Sequence, residues 1–202
     1  LGMLSKETAL TGVLLLPLVL YYYYTDLKVV DCIKAAILPL LVIVLFFIQK
    51  KQLLGTLSGI IPHDIVNYPY TDGAIKLPTT ALLFAFCLQL LIFPHPLRYD
   101  YSYNQVPAVH WDSPWALLGV FLFVGGAYWG FKQFQQKSVW GFAVSLFYIT
   151  LIPSLAFTIL RGGIFAERFL FFPALGFCIA LVYGASLLLK VDMKVRKKEP
   201  TG

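Results

Sequence analysis

FLFFPALGFCIALVYGASLLL, residues 169–189, runs for twenty-one positions without a charged side chain. At about 1.5 Å of rise per residue, roughly 20 apolar residues cross the ~30 Å hydrocarbon core of a bilayer. Lipid offers backbone amides no partner, so a spanning chain is either a helix or part of a closed barrel, and this run lacks a barrel's in-out alternation. It reads as a membrane helix. Working outward, similar blocks lie near 8–24, 32–48, 77–93, 114–131 and 139–160, and the quoted run belongs to one at 164–189. Composition agrees, because the 202-residue chain is 59% hydrophobic and 13% charged with a mean hydropathy of +0.76, too apolar for an ordinary soluble domain. The expected fold is all-α, a polytopic transmembrane helical bundle of about six apolar segments.

The segment at 77–93 is the shortest, opened by Pro78 and closed by Pro94 and Pro96. A full crossing and a tilted, broken or re-entrant helix all remain open for it. Pro17, Pro39, Pro153 and Pro173 fall inside other blocks and predict kinks, with hydroxyls such as that of Ser154 available to freed carbonyls. The net charge of +6 sits at block ends and in the tail, which marks the cations as topology signals and leaves no nucleic-acid partner to expect. If the tail of Lys190, Lys194, Arg196, Lys197 and Lys198 is cytoplasmic and the segments simply alternate, Lys6, Lys50, Lys51, Lys76, Lys132 and Lys137 share its side. Lys28, Lys34, Arg98, Arg161 and Arg168 then lie opposite, a partition of eleven cations inside to five outside. A re-entrant third segment would invert the sides of everything before it. Tyr21 to Tyr24, Trp111, Trp115, Trp129 and Trp140 stand at block ends as interfacial belts. Cys32, Cys87 and Cys178 lie in or beside apolar blocks and read as small buried hydrophobes, not a disulfide framework. The chain opens on Leu1 without a basic signal-peptide region, and an upstream portion is expected.

Two connections are too long for turns, 49–76 and 94–113. The second carries the strongest polar signal, since Pro94, His95, Pro96, Arg98, Asp100, Tyr101, Ser102, Tyr103, Asn104 and Gln105 set hydrogen-bonding groups on a stiff backbone beside a membrane boundary. Such a stretch is either an ordered connector or a device for holding a lipid phosphate or sugar, with the planar fork of Arg98 matched to phosphate oxygens. Arg161 and the pair Glu167–Arg168 flank the final segment, where charges near hydrocarbon need partners or anchor at the interface. Arg98, Arg161, Arg168 and His95 fall on one bilayer face by the alternation above and form a candidate phosphate-binding set. Lys6 and Glu7, at the opposite face, read as a structural ion pair at a helix entrance. No P-loop, HExxH, GxSxG or Cys/His metal spacing occurs, and His63, His95 and His110 are too far apart to define a metal site.

LSKETAL at 4–10, FPHPLRYDYSYNQVP at 93–107 and AERFLFFPALGFCI at 166–179 resemble, in that order, segments of the transmembrane and tetratricopeptide-repeat-containing O-mannosyltransferase family and its bacterial relatives. Asn67-Tyr68-Pro69 is similar to the family's Asn-Pro element. The last stretch resembles a Glu-Arg-Leu-Tyr-x-Pro-Ser-x-Gly signature, here beginning at Glu167 and Arg168 and ending Pro173, Ala174, Leu175, Gly176, with Phe171 where a Tyr is usual and Ala174 where a Ser is usual. The likeness covers nearly all of 1–190 and corresponds to the later half of the family's membrane domain. It implies a GT-C-like partial transmembrane domain over 1–190, with 191–202 a basic cytoplasmic tail or linker.

The resemblance further implies a hexosyltransferase that takes a sugar from a polyprenyl-phosphate donor and passes it to an acceptor, in the family a protein hydroxyl. The implied partners are membrane lipids, the lipid-linked sugar, and a protein acceptor or the N-terminal part of the same enzyme. The donor is the only cofactor-like molecule expected. Location in a bacterial inner membrane is favoured over the endoplasmic reticulum. The family's catalytic acids lie in an early external loop with no counterpart here, so no catalytic residue is assigned, and no 34-residue repeat follows the tail. Arg168, then Arg98, His95 and Arg161, are the expected donor-phosphate residues, because cations at the leaving phosphate stabilise its developing charge. Glu167, Asp100, Tyr101, Tyr103 and Asn104 are the expected orienting groups. A lipid-linked sugar transporter or flippase, and a non-catalytic membrane subunit, are the rival readings.

Overall fold

The computed structural model describes residues 11–24, 28–54, 73–95, 97–98, 101, 106–155 and 165–191. Within them lie α1 (Gly12–Tyr23), α2 (Val29–Ala35), α3 (Ile37–Leu54), α4 (Gly73–Ile92), α5 (Pro114–Gln135), α6 (Val139–Leu151) and α7 (Phe171–Leu188). Short 3-10 turns at Ile152–Ser154 and Glu167–Leu170 end α6 and lead into α7. The stretches Val29–Gln49, Gly73–Ile92, Pro114–Gln135 and Glu167–Leu188 are each long and apolar enough to cross a membrane. Among the described residues every regular element is helical, and the protein is a multi-pass membrane protein, as its apolar blocks predict.

Local chemistry sets the boundaries. Pro114 opens α5 at a position where its missing N–H has no intrahelical role. Ser138 caps α6 by accepting from the Gly141 N–H at 3.1 Å. Between these helices Lys137 takes a left-handed φ of 51°. The Lys137 and Ser138 N–H groups donate back to the carbonyls of Phe134 and Gln133, closing a Schellman turn that a glycine usually supplies. Packing of the Lys137 ammonium 4.3 Å from the Tyr21 ring centre offsets the strained backbone. The kink expected at Pro39 is the break between α2 and α3: proline cannot donate to the Ala35 carbonyl, and the chain tightens there with Ala36 N–H bonding Ile33 O at 2.9 Å. Pro153 likewise ends α6, which tightens into its 3-10 turn and becomes extended at Leu155.

Helices meet where side chains are small, as expected when apolar burial supplies no preference between lipid and protein. A Cβ on Gly119 would overlap the Ala81 carbonyl of α4, and one on Gly176 would lie 2.6 Å from the Ala143 carbonyl of α6. The Tyr148 hydroxyl adds a polar tie, donating to Phe123 O at 2.8 Å between α6 and α5. Leu83, Phe84, Cys87 and Leu90 of α4 share one core with Phe147, Leu151, Leu155, Phe165 and Leu170. Cys32 and Cys87 are buried, whereas Cys178, expected to be buried, is exposed on the apolar surface.

Simple alternation of segments does not hold. Ala81 faces Gly119, Phe84 packs on Phe123 with centroids 5.1 Å apart, and Leu88 shares a cavity with Leu122 and Gly126. The two registers rise together, so α4 and α5 run parallel. The connection between them must travel back along α4. Tyr101 packs on Phe86 at 5.3 Å, Val109 N–H donates to Thr79 Oγ1 at 3.1 Å, and Trp111 lies with Leu77. The helix and its return begin and end at the same end of the bundle, which inverts the sides of what precedes them. α1 shows the same thing independently. Its first flanking residue, Thr11, lies with Arg168, while Tyr21 and Tyr22 at its other end pack against Phe134. Lys28 therefore joins the end that holds Lys137, and Lys76 joins the end that holds Arg168, opposite to the sequence expectation for both.

Candidate functional site

The 3-10 turn Glu167–Leu170 carries the site. The extended residue Ala166 precedes it, and Phe165 and Leu170 on either side are buried in the core, so the turn is pinned by apolar anchors that leave Glu167 half-buried and Arg168 exposed. The return segment docks against it at three points. Tyr101 N–H donates to the Phe165 carbonyl at 3.0 Å. The Tyr101 hydroxyl donates to Glu167 Oε1 at 2.8 Å, and the Arg98 backbone N–H donates to the same oxygen. Tyr101 is only 2% exposed, and its ring also contacts Phe165 at 5.5 Å. Burial first, then the bond to Glu167 and its charge, push the Tyr101 phenol up to about 12, with the Arg98 cation acting the other way. The phenol is thus a fixed proton donor to the carboxylate across the physiological range.

Glu167 orients the segment bearing Arg98. Leu97, Arg98, Glu167 and Arg168 together line a cleft of about 290 Å³ at the mouth of α7. Two arginines and a carboxylate already committed to O–H and N–H donors make a cation-rich cleft fitted to an anion with several acceptor oxygens. The Arg168 guanidinium lies 5.2 Å from the Phe169 ring centre, and Arg168 also borders a second cavity of about 320 Å³.

Of the residues expected from sequence, the fold brings Arg98, Tyr101, Glu167 and Arg168 together from positions some seventy apart in the chain. His95 is exposed beside Phe93, with rings 6.1 Å apart, and is not among the described residues lining the cleft. Arg161, Asp100, Tyr103, Asn104, Lys6 and Glu7 lie outside the described residues. Thr150 and Ser154 line the second cavity, and neither is among the residues expected from sequence to form a site. Their four-residue spacing puts them on one helix face, the only signal that pointed to them.

Human protein O-mannosyl-transferase TMTC1 is 33% identical over 136 residues, 60% of the chain, and the mouse protein of the same name is 32% identical over 117 residues, 54% of the chain. The chain is similar to an O-mannosyl-transferase. The likeness is distant and partial, since the matched part spans 15% of the human relative's length and 12% of the mouse relative's. No protein-family model matches the chain, and no solved structure matches it significantly.

Proposed function

We propose that the chain forms the donor-phosphate side of a membrane-embedded GT-C-type glycosyltransferase, which takes a hexose from a polyprenyl-phosphate carrier for protein O-glycosylation. The observation that carries the reading is the cleft of Arg98, Glu167 and Arg168 at the head of a membrane helix. A polyprenyl carrier lies in the bilayer with its phosphate at the boundary, where the exposed Arg168 stands. When the glycosidic carbon leaves, charge grows on the bridging oxygen and phosphate, and a preorganised guanidinium stabilises it more than the ground state. Arg168 is the residue that meets that charge. Arg98 is held beside it because its own backbone is fixed by Glu167, and Glu167 is a positioning residue. Arg161 belongs to the same proposed set, with Asp100, Tyr103 and Asn104 as further orienting groups, while His95, which is not among the described residues lining the cleft, is left out of it. The similarity to O-mannosyl-transferases supports a mannosyl donor and a protein hydroxyl acceptor.

Sugar transfer from a polyprenyl-phosphate donor by the full-length protein tests the reading. Arg168→Ala should lower transfer by about a hundredfold or more, the scale of removing one oxyanion-stabilising donor, while the protein still accumulates in the membrane. Near-normal turnover in that variant would remove Arg168 from the mechanism.

A further inference from the structure

The second cavity that Arg168 borders differs in chemistry from the cleft. Thr11, Thr150, Ser154, Arg168, Phe169, Phe171 and Phe172 line it, and its volume of about 320 Å³ lies at the lower edge of small-ligand sites. Thr150 is 5% exposed and Ser154 4%. Thr150 Oγ1 donates to Leu146 O at 2.7 Å and Ser154 Oγ to Thr150 O at 3.5 Å. With their protons turned to helix carbonyls, the two oxygens act as acceptors for anything bound beside them. A bare phosphate has only acceptors and finds no complement in them. A group rich in hydroxyls does, and the phenylalanine rings offer apolar surface to its C–H face. Arg168 borders both spaces, so a phosphate held by it has the cation-rich cleft on one side and the acceptor-lined cavity on the other.

We propose that this second cavity holds the hydroxyl-bearing part of the donor, a hexose attached to the phosphate at Arg168, and that Thr150 and Ser154 are specificity residues for it. This rests on the donor-phosphate reading above. The shared ligand chemistry is a polyol-bearing phosphodiester, which a hexosyl polyprenyl phosphate and the abundant lipid phosphatidylglycerol both supply.

Affinities of the full chain in nanodiscs separate these. Three probes are compared: polyprenyl phosphate, hexosyl polyprenyl phosphate, and phosphatidylglycerol as a competitor. The unaltered protein should prefer the hexosyl form about tenfold, the scale of one or two neutral hydrogen bonds. Thr150→Val and Ser154→Ala should each cut that preference severalfold and leave polyprenyl phosphate affinity unchanged, which also reports that the variant is folded, and Thr150→Ser should restore it. If either variant fails to fold, monodeoxy hexosyl donors on the unaltered protein supply the same test, at least one losing the preference. Equal binding of the two polyprenyl probes, preference intact in both variants, no loss with any monodeoxy donor, or phosphatidylglycerol competing as well as the hexosyl lipid would each overturn the sugar assignment while the phosphate reading stands. Failure to bind polyprenyl phosphate at all would overturn both.

Discussion

Replacing Tyr101 by Phe keeps the ring that packs on Phe86 and Phe165 and removes only the hydroxyl that donates to Glu167 at 2.8 Å. A hydrogen bond to a charged acceptor contributes about 1.5–3 kcal/mol. Glu167 is half-buried and keeps the Arg98 N–H as a second donor, so the lower end applies, about 1.5 kcal/mol. For a chain of this size that is roughly 3–6 °C in Tm. Glu167→Gln retains an acceptor oxygen and loses the charge, which about halves the bond. A double-mutant cycle of the two, read by thermal unfolding in detergent, should give a coupling energy of about 0.7 kcal/mol. The pH dependence is a second readout. The folded phenol, at about 12, is raised above its ordinary 10.0, so its contribution is complete below pH 10 and falls away as pH rises through about 12. The gap between the parent protein and Tyr101→Phe should stay constant up to pH 10 and close above it. A coupling energy below about 0.3 kcal/mol, within the additivity of independent sites, or a gap that vanishes near neutral pH, would refute the docking of the return segment through Glu167.

Gly176→Leu should destabilise the α6–α7 pair by about 1–3 kcal/mol, since even a Cβ would meet the Ala143 carbonyl at 2.6 Å, and loss of monodisperse protein in detergent would report it. Single cysteines at Gly73 and Asp112, in a background free of Cys32, Cys87 and Cys178, should react with an impermeant maleimide from one side of the membrane, and a cysteine at Lys137 from the other. Labelling of Gly73 and Asp112 from opposite sides would restore simple alternation. Tyr148→Phe removes the hydrogen bond to the Phe123 carbonyl and should lower stability by about 0.6 kcal/mol, the average for such ties in a membrane bundle, with no change in lipid affinity.

Segment boundaries were legible because hydropathy and caps act locally. The block at 114–131 became Pro114–Gln135 and that at 164–189 became Glu167–Leu188. The parallel course of α4 and α5 was not legible. Hydropathy counts apolar runs but says nothing of an irregular segment that returns inside the bundle, and the close approach of Gly119 to Ala81 depends on two chain positions that no local pattern links. The site divided in the same way. Glu167, Arg168, Arg98 and Tyr101 stood out as polar groups beside apolar runs, a contrast visible in one dimension. Thr150 and Ser154 did not, because a hydroxyl within a membrane helix is as readily a bond to its own backbone as a ligand contact, and only the fold sets them beside Arg168. His95 stands close to Arg98 in sequence, and proximity along the chain does not by itself put a side chain in the cleft: it is exposed beside Phe93 and is not among the described residues that line it.

The central claim, that this end of the bundle receives a lipid-linked phosphate through Arg168, is tested most directly by comparing the affinity of polyprenyl phosphate with that of the uncharged polyprenol in nanodiscs, for the unaltered protein and for Arg168→Ala. The account predicts a clear preference for the phosphate in the first that collapses to near parity in the second. Equal affinity for both lipids in the unaltered protein, or a preference that survives Arg168→Ala, would contradict it.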